Sequence, residues 1–223
     1  ARAREALEKA EELGHAYSKA YAIFHVAYIK LITGDVPSVA GHASELLALA
    51  NQHDYQIWRA LAMVLQGLVE ALTSDPVNGQ TLIDEGIELY QQLPTPPVFW
   101  TALLQLRAPV AAMTGDMERA FALIEEAVAV ERTRSSGLLT EMLVTWGDLL
   151  AMTQNLEKAT SVYTEGLEIA TSVGAHFSEL RILTRLSHID GDEWRDRLAS
   201  VYDGLAKGTE MPDMVAARMA LGR

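Results

Sequence analysis

Few side chains in this 223-residue sequence have the types and the spacing that catalysis or metal binding requires. The densest group of metal-ligand types is His188 with Asp190 and Asp192, but it lies where one predicted helix ends and the next begins. Such residues commonly cap helices there. Cysteine is absent, which excludes disulfides, thiolate metal sites and cysteine nucleophiles. We therefore predict no metal site.

Two pairs of adjacent acids, Asp84-Glu85 and Glu125-Glu126, have the side chains of a general acid and a general base. Neighbours on a helix point about 100° apart, so the carboxylates of each pair do not face one another. Lys207-Gly208 lacks the strand and the preceding glycines of a phosphate-binding loop. The six histidines are scattered and lack zinc-protease spacing. The sequence thus predicts a segment that is not an enzyme and that needs no cofactor.

The elements that hold these side chains repeat about every forty residues. Polar turns recur at Gly34-Asp35, Ser74-Asp75, Gly115-Asp116 and Gln154-Asn155, with steps of 40, 41 and 39 residues between their second positions. Each turn lies between two apolar segments of helical period, which is typical of a helical-repeat array. The acid or amide in the second position is a good N-cap, so each turn begins the second helix of a pair.

A second series of breaks lies midway between these turns and ends the second helices. The punctuation predicts twelve helices at 2–13, 16–33, 37–52, 55–73, 77–92, 97–114, 117–133, 138–153, 156–173, 175–189, 193–206 and 213–221. The predicted repeat units are 15–53, 54–94, 95–136, 137–174 and 175–207, followed by a C-terminal cap at 208–223. The predicted fold is all-α, an α-solenoid of five to six antiparallel helix pairs in one domain over 1–223.

Small residues recur at matching places in these pairs. They are Gly67, Gly79 and Gly86 in one repeat, Ala108, Ala120 and Ala127 in the next, and Gly147, Ala159 and Gly166 in the third. Glycine inside a helix costs about 1 kcal/mol relative to alanine, so its recurrence predicts helices whose backbones approach closely. Pro109 lies within a predicted helix, where it is expected to kink the axis and bend the inner surface, unless a neighbouring repeat absorbs the bend.

Aromatic residues mark the start of the first helix in four of the five predicted repeats. Tyr17, Trp58 and Phe99 are 41 residues apart at each step, and Phe177 repeats the mark in the last pair. An aromatic ring at this position can brace a pair against the preceding one, because it buries a large area. A ladder of rings that stacks on a ligand is the alternative interpretation.

The net charge of −12 argues against nucleic acid as a partner, since phosphate binding needs clustered Lys and Arg. Between residues 31 and 106, Arg59 is the single basic residue against eight acids. These helices are either sandwiched between neighbours or form an acidic docking face. Gln66 and Glu70 interrupt the longest apolar stretch, so no membrane span is expected. The first residues do not resemble a signal peptide, and we predict a cytoplasmic protein.

The spacing of small and bulky residues resembles the tetratricopeptide repeat, although the period here is nearer forty than thirty-four. More specific strings are Ala10-Glu11-Glu12-Leu13-Gly14-His15, Leu46-Leu47-Ala48-Leu49-Ala50, Gly166-Leu167-Glu168-Ile169-Ala170, Glu179-Leu180-Arg181, Val201-Tyr202-Asp203-Gly204 and Met211-Pro212-Asp213. They resemble the C-terminal helical region of large bacterial signalling proteins with an adenylate or guanylate cyclase domain, or a transcriptional-regulator module, and a signal-transduction ATPase. The resemblance implies a sensor or protein-interaction arm, cut from a longer protein, that governs domains encoded upstream.

Six groove residues follow from the tetratricopeptide resemblance, which implies that the inner face of the first helices lines a concave groove. They are Tyr21, Phe24 and Tyr28 near the N-terminus, and Glu141, Val144 and Asp148 further along. Such a groove holds a protein or peptide segment, here from another protein or from another domain of the same polypeptide. For the tyrosines, packing is an equally open interpretation.

Two other functions remain open at this point. The charge-poor helices between residues 31 and 106 could form the face of a homodimer, which would bring two linked enzymatic domains together. An apolar pocket inside the array could also make the segment the small-molecule sensing arm of a transcriptional regulator.

Overall fold

The computed structural model describes residues 2–94, 98–134, 137–205 and 211–223, apart from the side chains of residues 2–4, 6 and 192. These ranges hold twelve α-helices and no strand. The helices are α1 (Arg2–Glu12), α2 (Ala16–Ile32), α3 (Val36–His53), α4 (Gln56–Thr73), α5 (Pro76–Gln91), α6 (Trp100–Met113), α7 (Met117–Arg134), α8 (Leu139–Met152), α9 (Leu156–Ser172), α10 (His176–Ile189), α11 (Gly191–Gly204) and α12 (Pro212–Ala220).

Consecutive helices pack against one another from α1 to α6 and from α7 to α12, which is the all-α solenoid that the repeat predicts. Every predicted helix is present, and its ends differ by three residues at most. Helix α6 continues through Pro109, so the proline does not divide it. The predicted breaks at residues 95–97 and at Ser136, and the start of the predicted cap at 208–210, lie outside the described residues.

The chain forms two compact units, Ala1–Asp116 and Met117–Arg223. The division falls at the predicted turn Gly115-Asp116, inside the predicted repeat 95–136. The single domain over 1–223 stays a prediction. None of the helices in the described ranges combines the length and the hydrophobicity that crossing a bilayer requires.

The four polar turns share one backbone arrangement. In each, the N–H of the second turn residue donates to the carbonyl five residues earlier, as from Asp35 to Lys30 (2.9 Å) and from Asn155 to Leu150 (3.0 Å). The residue before it is left-handed in three of the turns, at Gly34 (φ 78°), Gly115 (φ 89°) and Gln154 (φ 61°). Glycine adopts this conformation without strain, which explains its place at two of these positions. The repeat is therefore confirmed at the level of individual hydrogen bonds.

Three of the four N-caps predicted at these turns are confirmed by their side-chain contacts. Asp35 accepts from the N–H of Ser38, Asp75 from those of Val77 and Asn78, and Asn155 from that of Lys158. These bonds satisfy backbone donors that the first turn of a helix leaves without a partner. Short polar side chains after each turn therefore start α3, α5 and α9.

Replacing Asp35 by alanine is expected to destabilise the protein by about 1 kcal/mol. The change removes the cap on α3 and the ion pair with Lys30, whose Nζ lies 2.7 Å from the Asp35 carboxylate. Asp35→Asn is the matched control, because it retains the cap and removes the exposed pair. It is expected to cost only a few tenths of a kcal/mol. Urea unfolding at neutral pH measures both values.

The stability difference between wild type and Asp35→Asn is also expected to depend on pH. The hydrogen bond from Lys30 lowers the pKa of Asp35 below its usual value of 3.8. A carboxylate with a lowered pKa stabilises the fold above the unfolded pKa, and this contribution is lost as pH falls through the folded pKa. The stability difference between wild type and Asp35→Asn should therefore be constant from about pH 5 to 7 and shrink below about pH 4. A difference that is the same at pH 6 and pH 3 would contradict this.

The predicted close approach of backbones is confirmed where α4 crosses α5. A Cβ atom at Gly67 would lie 2.6 Å from the carbonyl oxygen of Gly79, and one at Gly86 would lie 2.8 Å from that of Ala60. In the second unit, Gly147 instead leaves room for the ring of Tyr163. Glycine is thus required at these crossings because any side chain would meet a neighbouring backbone or ring.

Candidate functional site

Aromatic rings from three helix pairs meet in the first unit. Tyr17 contacts Trp58 at 5.4 Å between ring centroids, and Trp58 contacts Phe99 at 5.9 Å. These are the residues spaced 41 apart in the sequence, so the predicted bracing between consecutive pairs is confirmed. With their neighbours they form the aromatic cluster, which consists of Tyr17, Tyr21, Phe24, His25, Tyr28, Tyr55, Trp58 and Phe99.

The floor of the aromatic cluster is buried. Phe24 packs edge-on against Phe99 at 5.1 Å, and the hydroxyl of Tyr28 donates to Oε1 of Gln105 at 2.7 Å. These two contacts join α2 directly to the start and to the middle of α6, although α4 is the first helix of the repeat between them. Trp58 is buried, and its indole N–H has no hydrogen-bond partner among the described residues. Large aromatic rings from α2 therefore pack against Trp58 of α4 and reach the start of α6.

The rim of the aromatic cluster is exposed. Tyr17 and Tyr21 lie one helical turn apart on α2 and are 42% and 52% exposed. The ring of Tyr21 stacks on His25 at 4.1 Å, and Tyr17 meets Tyr55 edge-on at 5.2 Å. In the described parts of the chain, neither of the two rim hydroxyls has a hydrogen-bond partner. The rim thus presents flat apolar area together with two hydroxyl groups that are free to bond.

The second unit has a different surface, built from paired charges. Arg181 on α10 forms ion pairs with Glu141 on α8 and with Asp213 on α12, the latter at 3.0 Å. The Arg181 side chain is only 6% exposed. The hydroxyl of Ser178 also donates to Glu141, at 3.0 Å. These charges are largely buried at helix contacts, where each depends on the others for its partners.

A second ion pair lies one to two turns further along the same helices. Nε and Nη2 of Arg185 donate to the two carboxylate oxygens of Asp148 at 2.5 and 2.9 Å. The Tyr163 hydroxyl donates to the same carboxylate at 2.5 Å. Burial, together with the neighbouring carboxylate, raises the pKa of Tyr163, so the hydroxyl remains a proton donor at neutral pH.

This second pair lies in a cleft of about 480 Å³, which we name the ionic cleft. Its lining residues are Asp148, Ala151, Met152, Leu156, Tyr163, Arg185, His188 and Ile189. Charged groups and exposed apolar side chains therefore line one concave space in the second unit. That combination is typical of small-molecule sites, which are mostly apolar with a few convergent polar groups.

The six predicted groove residues occupy different environments. Tyr21 lies on the exposed rim of the aromatic cluster, and Asp148 lies in the ionic cleft with its side chain partly exposed. Phe24, Tyr28 and Val144 are buried, and Glu141 is held by Arg181. Ligand binding by these residues stays a prediction, and two of the six present surface that a ligand can reach.

Sequence reasoning did not identify Arg181, Arg185 and Tyr163 as members of a site. A signal was present, because Arg181 follows Glu141 by 40 residues and Arg185 follows Asp148 by 37, which is about one repeat. Opposite charges at matching places in consecutive first helices can meet when the pairs stack.

Two of the three side chains in the group His188, Asp190 and Asp192 are described by the structure. His188 is exposed and lines the ionic cleft, and the side chain of Asp192 lies outside the described residues. Within the described ranges, no three side chains of His, Cys, Asp or Glu converge in a way that could hold a metal ion.

Comparison with known proteins supports the fold and does not extend to a family. No family model matches the sequence, and no curated protein matches it. The crystal structure of BtubC (BKLC) from P. vanneervenii is similar, with a TM-score of 0.62 at 18% identity over 84% of this chain and 80% of that one. The crystal structure of the apo form of RapI has a TM-score of 0.61 at 12% identity over 99% and 86%. The chain therefore shares the all-α helical-repeat fold of these two proteins.

Proposed function

We propose that this chain is a non-catalytic protein-interaction module that binds a protein segment at the exposed rim of the aromatic cluster. The observation that carries the proposal is the pair of half-exposed tyrosines, Tyr17 and Tyr21, whose hydroxyls lack partners among the described residues. Aromatic side chains with a polar end are enriched at protein interfaces, since they bury area at low entropic cost and still form hydrogen bonds. Helical-repeat folds commonly bind protein segments on such surfaces.

The module acts as an arm of a cytoplasmic bacterial signalling protein and regulates cyclase or ATPase domains linked to it. The strings that resemble the helical region of those proteins support this part of the proposal. The bound segment comes from another protein or from one of the linked domains. Binding at the rim would then report the presence of the partner to the linked enzyme.

Selection from a displayed library of random peptides tests the interaction. We expect peptides that bind the wild-type chain to bind the double variant Tyr17→Ser/Tyr21→Ser about 30-fold more weakly, since truncating central aromatic residues of an interface costs about 2 kcal/mol. Titration of each selected peptide by fluorescence anisotropy measures the loss.

Val77→Ser in α5 is the matched control, because it also truncates an exposed apolar side chain of the first unit. It is expected to leave peptide affinity unchanged. Thermal unfolding should show both variants to be folded. Selected peptides that bind the double variant as tightly as the wild type would contradict a binding site at the rim.

The ionic cleft favours a second candidate function, that of a small-molecule sensing arm. Its volume of about 480 Å³ lies within the range of ligand pockets, and charged groups line it beside apolar ones. A ligand here would act on the second unit, whereas the aromatic cluster belongs to the first. The two candidate functions can therefore be tested separately.

A further inference from the structure

The ion pair in the ionic cleft does not use all of its hydrogen-bond donors and acceptors. A guanidinium carries five N–H groups, and Arg185 uses three of them, two to Asp148 and one to the carbonyl of Arg181. One N–H on Nη1 and one on Nη2 remain. The Asp148 carboxylate accepts from Tyr163 and twice from Arg185, which leaves one of its roughly four acceptor sites open on Oδ2. Two donors and one acceptor thus remain on two paired side chains that are partly exposed.

Apolar side chains and His188 line the rest of the ionic cleft. Met152 is 60% exposed, Leu156 is also exposed, and Ala151 and Ile189 complete this part of the wall. Exposed methionine and leucine beside an ion pair provide apolar area that a ligand can cover. The cleft therefore joins a negative group, a positive group and an apolar surface within the dimensions of a small molecule.

We infer that the ionic cleft binds a free α-amino acid with an apolar side chain, as the zwitterion. The carboxylate of the ligand accepts from the two remaining N–H groups of Arg185, and its ammonium group donates to Oδ2 of Asp148. The side chain of the ligand lies against Met152 and Leu156. This inference rests on the second candidate function, the small-molecule sensor.

The charges select a free amino acid over related ligands. A dicarboxylate would bring a second negative group towards Asp148, and an amine without a carboxylate would leave Arg185 without its new acceptor. An internal peptide segment carries neither charge on its backbone, and a peptide terminus carries only one. A molecule that carries an ammonium group, a carboxylate group and an apolar side chain on one carbon complements all three parts of the cleft.

Calorimetric titration of the full chain with leucine, isoleucine, methionine and phenylalanine tests the inference. We expect saturable binding of at least one of them. 4-Methylpentanoate lacks the ammonium group of leucine, and 3-methylbutylamine lacks its carboxylate. Each is expected to bind at least about tenfold more weakly, because each loses a charge-assisted hydrogen bond. Glycine and glutamate should bind more weakly still, since glycine has no apolar side chain and glutamate adds a negative one.

Met152→Asp locates the binding at the ionic cleft without replacing either residue of the ion pair. Met152 ends α8 and is largely exposed, so the fold should persist, while the new carboxylate removes apolar area and competes for Arg185. We expect at least a tenfold loss of leucine affinity, in line with the loss of a charge-assisted contact. Val173→Asp is the matched control, because Val173 is 70% exposed, follows the end of α9 and does not line the cleft. It should retain wild-type affinity.

Three results would overturn the inference: no binding of any of the four amino acids, equal binding of leucine and 4-methylpentanoate, or equal leucine affinity of wild type and Met152→Asp. A panel of other metabolites separates this failure from that of the sensor function. If a metabolite of another class raises the melting temperature, the sensor function is supported and the amino-acid ligand is rejected. If no metabolite shifts the melting temperature, both the sensor function and the amino-acid ligand are rejected. The peptide selection at Tyr17 and Tyr21 is independent of either result.

Discussion

Replacing Gly79 by alanine is expected to lower the free energy of unfolding by about 3 kcal/mol, the upper part of the range for overpacking. The new Cβ would lie 2.5 Å from the carbonyl oxygen of Gly67 and 2.6 Å from both the backbone nitrogen and the Cβ of Ala71. Two of these three atoms belong to the backbone of α4, so no rotamer change can relieve the contact. The helices α4 and α5 must move apart, which loosens the packing between them.

Thermal unfolding measures this effect directly. For a chain of this length, 1 kcal/mol corresponds to about 2 to 4 °C, so the melting temperature should fall by about 6 to 12 °C. Gly41→Ala is the matched control, because Gly41 lies inside α3 and a Cβ there meets no atom within 4 Å. Alanine is the better helix former, and this variant should gain up to about 1 kcal/mol. A loss of stability for Gly79→Ala no greater than 0.5 kcal/mol, roughly that of an ordinary surface change, would contradict the close crossing.

Replacing Arg181 by methionine is expected to destabilise the second unit by about 3 to 5 kcal/mol, the cost of removing one partner from a buried ion pair. The change leaves the carboxylates of Glu141 and Asp213 at helix contacts without their cation. Asp213 lies in the first turn of α12, so the loss should also loosen the attachment of α12 to α10. Hydrogen exchange in residues 212–220 should become faster, and urea unfolding measures the loss of stability.

Arg223→Met provides the matched control in the same unit. Its partner Asp203 lies 2.7 Å away, but both side chains are about half exposed, so the loss should be below about 1 kcal/mol. Adding Glu141→Gln and Asp213→Asn to Arg181→Met should recover part of the stability, since neutral amides cost less to bury than carboxylates. If Arg181→Met cost no more than Arg223→Met, the buried network would contribute nothing beyond an ordinary surface pair.

Local features of the fold could be predicted because they depend on residues close in sequence. The turn at Gly34-Asp35 needs a left-handed residue and then an acceptor for the first N–H groups of the next helix, and glycine followed by aspartate meets both needs. The same reasoning placed the start of α5 at Asp75 and that of α9 at Asn155. Recurrence of these signals every forty residues identified the helical array.

Contacts between helices, within a repeat and between repeats, were partly predictable. Gly67, Gly79 and Gly86 indicated close crossings, because glycine inside a helix is unfavourable unless space requires it. The spacing of Tyr17 and Trp58 indicated that rings of consecutive pairs would meet, and they do. Periodicity could not indicate that Phe24 and Tyr28 would reach α6 past α4, since that depends on how closely three pairs stack.

The sequence by itself determined the all-α repeat, the turns and caps that divide it, and the glycines at its closest crossings, because each depends on short-range sterics and hydrogen bonding. Only the tertiary structure decided which inner-face residues are buried and which are exposed. Tyr21 and Tyr28 are both tyrosines on one face of α2, yet one lies half exposed at the rim and the other is buried on Gln105. The pairing of Asp148 with Arg185 likewise depends on the distance between α8 and α10, which side-chain volumes across the whole unit set.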